Sequence, residues 1–268
     1  MEIKWTKPLY SEVSKAIFKD TWKNYFNKSN AAYLVNGKTA ISKALKLLDS
    51  KVVAIPTYTC HRVYDAAVDA NCKPIIVDCD TDLQIRVEEL AKLDNIDTVI
   101  VPHMFGIQAL NEIKALKEMG YKIIEDCSQC MGLPELGTYS DIVIASLGPT
   151  KWLPVGDDKE KGGAVIAYNG KDIEYHDNAT GIHNASVMFD NIENIVKNRI
   201  NRVEELNIAG LDFIGVERPN SWLRAMYFAD KQKRVPYTPL HDIHGGFNCP
   251  IVDSYKNKLD WVSVFPNG

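Results

Sequence analysis

The sequence predicts an α/β protein built on a mostly parallel sheet, and two observations carry that reading. Short apolar runs rich in β-branched residues recur at 52–55 (Val-Val-Ala-Ile), 75–77 (Ile-Ile-Val after Pro74), 98–101, 122–124, 142–145 and 164–167, each the length of a buried strand. Around and between the first four lie segments with helical spacing at 39–48, 62–70, 87–93 and 111–119, the last closed by Gly120. Strand alternating with helix gives parallel pairing with both faces of the sheet covered. Ligands of such sheets collect beyond the carboxyl ends of the strands, so the residues just after each run are the ones to read for chemistry.

Beyond about residue 175 the pattern changes. Apolar residues at Ile192, Ile195, Val196, Ile200 and Val203 predict a connecting helix, and Pro219, Pro236, Pro239, Gly245, Gly246 and Pro250 mark a turn-rich remainder. The expected organisation is a large α/β domain over 1–175 and a small C-terminal unit over 176–268.

Composition narrows the function. The chain has 268 residues, 46% hydrophobic and 25% charged, with a net charge of -4. The acidic balance argues against a nucleic-acid partner. No apolar run approaches 18 residues, which excludes a spanning helix, and the start lacks the apolar centre of a signal peptide, so a cytoplasmic location is expected. The six cysteines are scattered and expected to be reduced. Cys127 and Cys130 have CxxC spacing, but no second pair or clustered histidines complete a zinc set, and no metal is expected.

Three strand-end features point to a cofactor. Lys122-Ile-Ile-Glu-Asp126 places an acid just past a buried strand; Ser146-Leu-Gly-Pro-Thr-Lys151 leaves the next one with a hydroxyl and then a lysine; Asn36-Gly-Lys-Thr-Ala40 opens an amphipathic helix. Taken singly, Asp126 reads as a helix cap and Lys151 as a surface lysine. Together, a lysine able to form a Schiff base and a carboxylate able to keep a pyridine nitrogen protonated fit pyridoxal 5'-phosphate. The amides around Gly37 at a positive helix end, with a Thr hydroxyl beside them, make a phosphate cup. It lacks the spacing of a Walker loop or a dinucleotide fingerprint.

With Pro56-Thr-Tyr-Thr59, Lys73-Pro-Ile-Ile-Val-Asp-Cys-Asp80, Pro102-His-Met-Phe-Gly106, Ile124-Glu-Asp-Cys-Ser-Gln-Cys-Met-Gly132 and Gly162-Gly-Ala164, these blocks occur in order over residues 33–170. In that order and spacing the chain resembles the DegT-type nucleotide-sugar aminotransferases, pyridoxal-phosphate enzymes of the aspartate aminotransferase fold (fold type I), as an unusually short member. The resemblance implies that Lys151 binds the cofactor covalently and then carries the proton, and that Asp126 holds the pyridine nitrogen. It implies further that Gln129 contacts the ring's phenolic oxygen side, and that Ser146 and the amides around Gly37 hold the phosphate. The implied reaction moves an amino group, from glutamate, to a nucleotide-linked keto-sugar in a homodimer with shared active sites. A different pyridoxal-phosphate reaction such as an elimination, or a cofactor-binding protein without activity, is the alternative; retention of Lys151 disfavours the related dehydratases, which carry histidine there.

The chain departs from the family pattern in places. Lys38 stands where a hydroxyl residue usually follows the glycine, with Thr39 one place later, and is expected to serve as a variant phosphate ligand. The ring-stacking aromatic falls at Cys60, with His61 adjacent as the flat side chain able to replace it. In the loop expected to reach the partner's site, Thr180-Gly-Ile-His-Asn-Ala-Ser186, Asn184 corresponds but the family's arginine is missing. His103 is expected as a packed loop histidine near the site. Pro239-Leu-His241, Cys249-Pro250 and Phe265-Pro266 look like a contracted C-terminal part.

Overall fold

In the computed structural model, which describes residues 7–155, 162–208, 213–229 and 237–262, all six predicted runs are strands and a seventh joins them. In chain order the elements are α1 (Lys7–Tyr25), β1 (Asn30–Leu34), α2 (Gly37–Leu47), β2 (Val52–Pro56), α3 (His61–Asp69), β3 (Lys73–Val77), α4 (Val87–Leu90), β4 (Thr98–Pro102), α5 (Leu110–Glu118), β5 (Lys122–Asp126), β6 (Ile142–Ser146), β7 (Ala164–Tyr168), α6 (Ala179–Val187), α7 (Ile192–Ile208), β8 (Ala225–Phe228), α8 (Leu240–His244), α9 (Pro250–Tyr255) and β9 (Leu259–Val262). The main sheet runs β1-β7-β6-β5-β4-β2-β3. Only β7 is antiparallel to its neighbours, so β1 and β6, each antiparallel to β7, point the same way as the other four.

Period-two alternation sorts the core into two layers. Ala32, Leu34, Ile142, Ile144, Ala164 and Ile166 face α2 and α3, which bury Ala40, Ile41, Ala44, Leu45, Val63, Ala66 and Ala67 against them. Ala31, Tyr33, Val143, Ala145, Val165 and Ala167 face the other way, onto Phe18 and Trp22 of α1, Phe26 just past its end, and Ile192 and Val196 of α7. Towards β2 this second face is continued by Val99, Val101 and Ile123 under Ile113 and Leu116 of α5.

The turn-rich remainder contributes a two-stranded sheet, β8 with β9, and short helices docked onto the strand ends. Asp78, one residue past β3, accepts from the amides of Ile251 and Val252 and so caps α9 from a distant part of the chain. Arg218 holds Glu112 bidentately and Asp82 at 2.9 Å. Phe265-Pro266 lies outside the described residues. Helix α4 stops at Leu90, short of the expected 93, and 180–186, expected as a loop, lies within α6 because Asn178 caps the helix by accepting from the Gly181 amide. No helix among the described residues is long and apolar enough to cross a membrane.

Candidate active site

Because β1, β5 and β6 run in the same direction, their carboxyl ends share one edge of the sheet. Asp126 is the last residue of β5, Ser146 the last of β6, and Gly37 opens α2 shortly after β1. A cavity of about 450 Å³ lies between them, lined by Gly37, Lys38, Asp126, Gln129, Ser146 and Lys151 together with Asn36, Cys60, Arg62 and Ser128.

One end of the cavity is the mouth of α2. Asn36 caps the helix, accepting from the Thr39 amide at 2.9 Å and the Thr39 hydroxyl at 3.2 Å, so Thr39 is committed to the cap and lies outside the lining. Gly37 packs against Ser146, where a Cβ would sit 3.1 Å from the Ser146 Cβ. The missing side chain is what lets the helix amides and the serine hydroxyl converge on one point. Half-buried Lys38 adds a cation and pairs with Asp69 at 2.7 Å.

The other end is set by β5 and by the loop after β6. Ser128 locks these two strand ends together: its amide donates to Asp126 Oδ1 at 2.9 Å and its hydroxyl accepts from the Ser146 amide at 2.8 Å. Asp126 is 7% exposed, and among the described residues nothing else hydrogen-bonds its carboxylate, so Oδ2 is left to the cavity. A carboxylate oxygen at a cavity wall without a protein donor is free to accept one from a ligand. Lys151 sits on a turn closed by its own amide to Gly148 O at 3.0 Å. Burial pulls its ammonium below the ordinary lysine range, helped by the nearby Arg224 and opposed by Asp126 and Cys60. Its neutral, nucleophilic form is therefore favoured relative to a solvated lysine.

Gln129, buried in the cavity wall, reaches across to the loop after β4: Oε1 accepts from the Phe105 amide at 3.1 Å and Nε2 faces Met104 Sδ at 3.6 Å. Phe105 is held in a left-handed conformation, φ 57°, a costly geometry for a side-chain-bearing residue that packing here over-determines. The next turn of chain is pinned from the C-terminal unit, with the amides of Ser221 and Arg224 donating to Gly106 O and Phe105 O. Arg224 also donates to the hydroxyl of Tyr237, whose ring lies 5.8 Å from that of Phe105. These two residues approach from far along the chain, and no local signal marks them.

Cys60 lines the cavity, half-buried, whereas His61 is exposed and lies outside the lining. Cys60 is the last extended residue before α3 and His61 the first helical one, and the turn of the helix carries the imidazole away. Asn184 is half-buried in α6 and does not line this cavity. His103 is fully buried behind the site. Its Nδ1 accepts from the Ala109 amide at 2.9 Å, so the proton is on Nε2, which donates to Glu125 at 2.9 Å. Sequence reasoning assigned no role to Ser128, Asn36 or Arg62. The first two carry a signal, a hydroxyl two residues past Asp126 and an Asn three residues before a Thr at a helix start; Arg62 carries none.

An open α/β sheet with a phosphate-sized cup, a buried acid and a desolvated lysine converging on one cavity defines a cofactor-dependent transferase class of site. The chain belongs to the DegT/DnrJ/EryC1/StrS aminotransferase family, whose model matches residues 4–201. By sequence, no curated protein matches it. Among solved structures it is similar to a DegT DnrJ EryC1 StrS aminotransferase from Brucella abortus, at 17% identity and a TM-score of 0.77 over 93% of this chain and 84% of that one. It is also similar to a putative sugar aminotransferase from Streptococcus pneumoniae in its PMP form, at 13% identity and a TM-score of 0.78 over 94% and 86%. NtdA from Bacillus subtilis, with bound cofactor PMP, matches at 17% identity and a TM-score of 0.73 over 94% and 72%. These likenesses establish the fold, that of the fold type I aminotransferases.

Proposed function

We propose that this chain is a pyridoxal-phosphate-dependent aminotransferase that moves an amino group from glutamate to a nucleotide-linked keto-sugar, as a cytoplasmic homodimer. The observation that carries it is that Lys151 and Asp126, whose Oδ2 has no donor among the described residues, line one cavity with the Gly37 and Ser146 cup. The residues fit pyridoxal 5'-phosphate: a buried carboxylate for the pyridine nitrogen, amides and a hydroxyl at a positive helix end for the phosphate, and an amine at bonding reach of the cavity.

Bound there, the cofactor supplies an electron sink for the carbon that loses its proton. Lys151 would hold the cofactor through its ε-amine, whose neutral form burial favours, and is the base placed to move a proton at the substrate carbon. Asp126 would hold the ring nitrogen through its Oδ2. Ser146, the amides around Gly37 and Lys38 would anchor the phosphate and so orient the ring. Gln129 holds the loop after β4 through the Phe105 amide and would meet the ring's phenolic side, and Cys60, which lines the cavity, would be the side chain nearest the stacking position. The net reaction converts glutamate and a ketone to 2-oxoglutarate and an amine, with no external reductant.

The test is to load the purified chain with pyridoxal 5'-phosphate, trap the lysine link with borohydride and locate it by mass spectrometry. Glutamate is then offered with a panel of nucleotide keto-sugars. Modification at Lys151 and an aminated sugar support the proposal. Labelling elsewhere refutes the site, and an inert panel with a correctly labelled Lys151 refutes the substrate class.

A further inference from the structure

A second cavity, of about 600 Å³, opens beside the first and shares Asn36 and Lys38 with it; the rest of its lining is Thr39, Ser42, Lys43, Lys46 and Asp69. It runs along one face of α2, outward from the phosphate cup. Three lysines and two hydroxyls face a single carboxylate there, on a chain whose net charge is -4.

The charge pattern of α2 departs from that of α1 and α7. Lys15 and Lys23 on α1, and Arg202 on α7, each have an acid three residues away on their own helix. Helix α2 (Gly37–Leu47) contains no Asp or Glu at all. Lys38 is paired with Asp69 of α3 at 2.7 Å, but among the described residues neither Lys43 nor Lys46 has a carboxylate partner. Lys38 also stands in the first turn, where a cation opposes the helix dipole and lowers stability. A local rule broken next to a site, with like charges gathered along one cavity, marks a surface arranged for an anion.

We infer that this groove seats the diphosphate of the nucleotide-linked substrate, with Lys43 and Lys46 as its cations and Ser42 as a hydroxyl donor. The inference rests on the substrate class proposed above. Lys38, between the two cavities, belongs to the cofactor phosphate. An ammonium pair on a helix face reads charge and not the base, which assigns the groove to the diphosphate and leaves recognition of the nucleobase to other residues.

The experiment uses the full chain loaded with pyridoxal 5'-phosphate and measures binding of UDP, dTDP and inorganic pyrophosphate by calorimetry, for the wild type and for Lys43→Ala/Lys46→Ala. Lys46 is exposed and Lys43 half-buried, and both sit on a helix, where alanine is intrinsically well tolerated. The expected result is that affinity for all three probes falls by about tenfold or more in the double variant. Affinity in the wild type weakens with salt, while the visible absorbance of the loaded protein is the same in both. Lys43→Glu/Lys46→Glu is expected to abolish binding. Equal affinities in wild type and variant overturn the proposal. So does a fall in cofactor loading that parallels the fall in probe binding, since the groove would then serve the cofactor. Loss of pyrophosphate binding with nucleoside diphosphate binding intact removes the substrate diphosphate as occupant. Should Lys151 fail to attach the cofactor, the aminotransferase reading falls separately, because the binding isotherms report on the groove without it.

Discussion

Gly37 lies against Ser146 so closely that a methyl group added to Gly37 would meet the Ser146 Cβ at 3.1 Å. The contact joins the start of α2 to the end of β6, and it is the reason a glycine opens this helix, since the backbone conformation alone does not demand one. Alanine at a helix position is intrinsically favoured over glycine by about 1 kcal/mol, which offsets a small displacement of the serine. Gly37→Ala is therefore expected to leave the thermal midpoint nearly unchanged while weakening pyridoxal-phosphate affinity by about tenfold, or 1.4 kcal/mol. Equal cofactor affinity in the two proteins would remove the cup from the site.

Lys151 titrates under two opposed neighbours. Burial lowers its pKa first, Arg224 lowers it further, and Asp126 raises it. A lysine whose folded pKa is depressed disfavours the protonated folded state, so stability rises with pH between that lowered value and the ordinary 10.5. The same shift brings the pH midpoint for covalent cofactor attachment below 10.5. Asp126→Asn is expected to move that midpoint further down and Arg224→Gln to move it up, two displacements of opposite sign read from one absorbance titration. Asp126→Asn also loses most of its activity while retaining some cofactor, because a neutral amide cannot keep the ring nitrogen protonated. Displacement of both midpoints in one direction would contradict the arrangement.

Behind the site, Glu125 is buried with three nitrogen or oxygen donors, His103 at 2.9 Å, Ser140 Oγ at 2.7 Å and the Gly137 amide at 3.0 Å, and the weaker Cys127 thiol at 3.8 Å. Burial by itself would raise its carboxyl, and these donors outweigh it to hold the group below its ordinary value. Stability from a depressed carboxyl is present above the ordinary 4.5 and lost as pH falls through the folded value. His103→Leu leaves the charge short of a donor in the core and is expected to cost about 3 kcal/mol at pH 7, seen in the urea midpoint. Ser140→Ala should begin its acid unfolding at a higher pH than the wild type. An unchanged acid transition would mean that Glu125 is not the group that titrates.

The strands that carry the site were legible because burial on both faces forces continuous apolar runs, and Asp126, Ser146 and Lys151 follow from them directly. Strand β1 was not, since Asn30-Ala-Ala-Tyr-Leu34 has little β-branched character and is held by its pairing to β7. Helix α1 and the residue after it carry a readable period, Phe18, Trp22 and Phe26 at intervals of four, set among lysines and acids that hide it. The choice between Cys60 and His61 depends on where α3 begins, a boundary that sequence fixes only to within a residue or two. Arg224 and Tyr237 reach the site through contacts with Phe105 more than a hundred residues away, which no local pattern encodes.

The proposed dimer gives the remaining prediction. Asn184 sits half-buried on α6, outside its own chain's cavity, so any part it plays in catalysis must be in the partner's site. In a twofold dimer, the commonest closed assembly, a segment of one chain that reached the other's cavity would be matched by the same segment of the other. Light scattering should then give twice the 30.1 kDa chain mass. Lys151→Ala and Asn184→Ala, each inactive alone, should recover up to about a quarter of wild-type activity when mixed and allowed to exchange, because half of the chains at equilibrium pair as heterodimers and each heterodimer holds one intact site. Subunit exchange shown by mass spectrometry without recovery of activity would confine each active site to a single chain. A monomeric mass at full activity would do so without the mixing experiment.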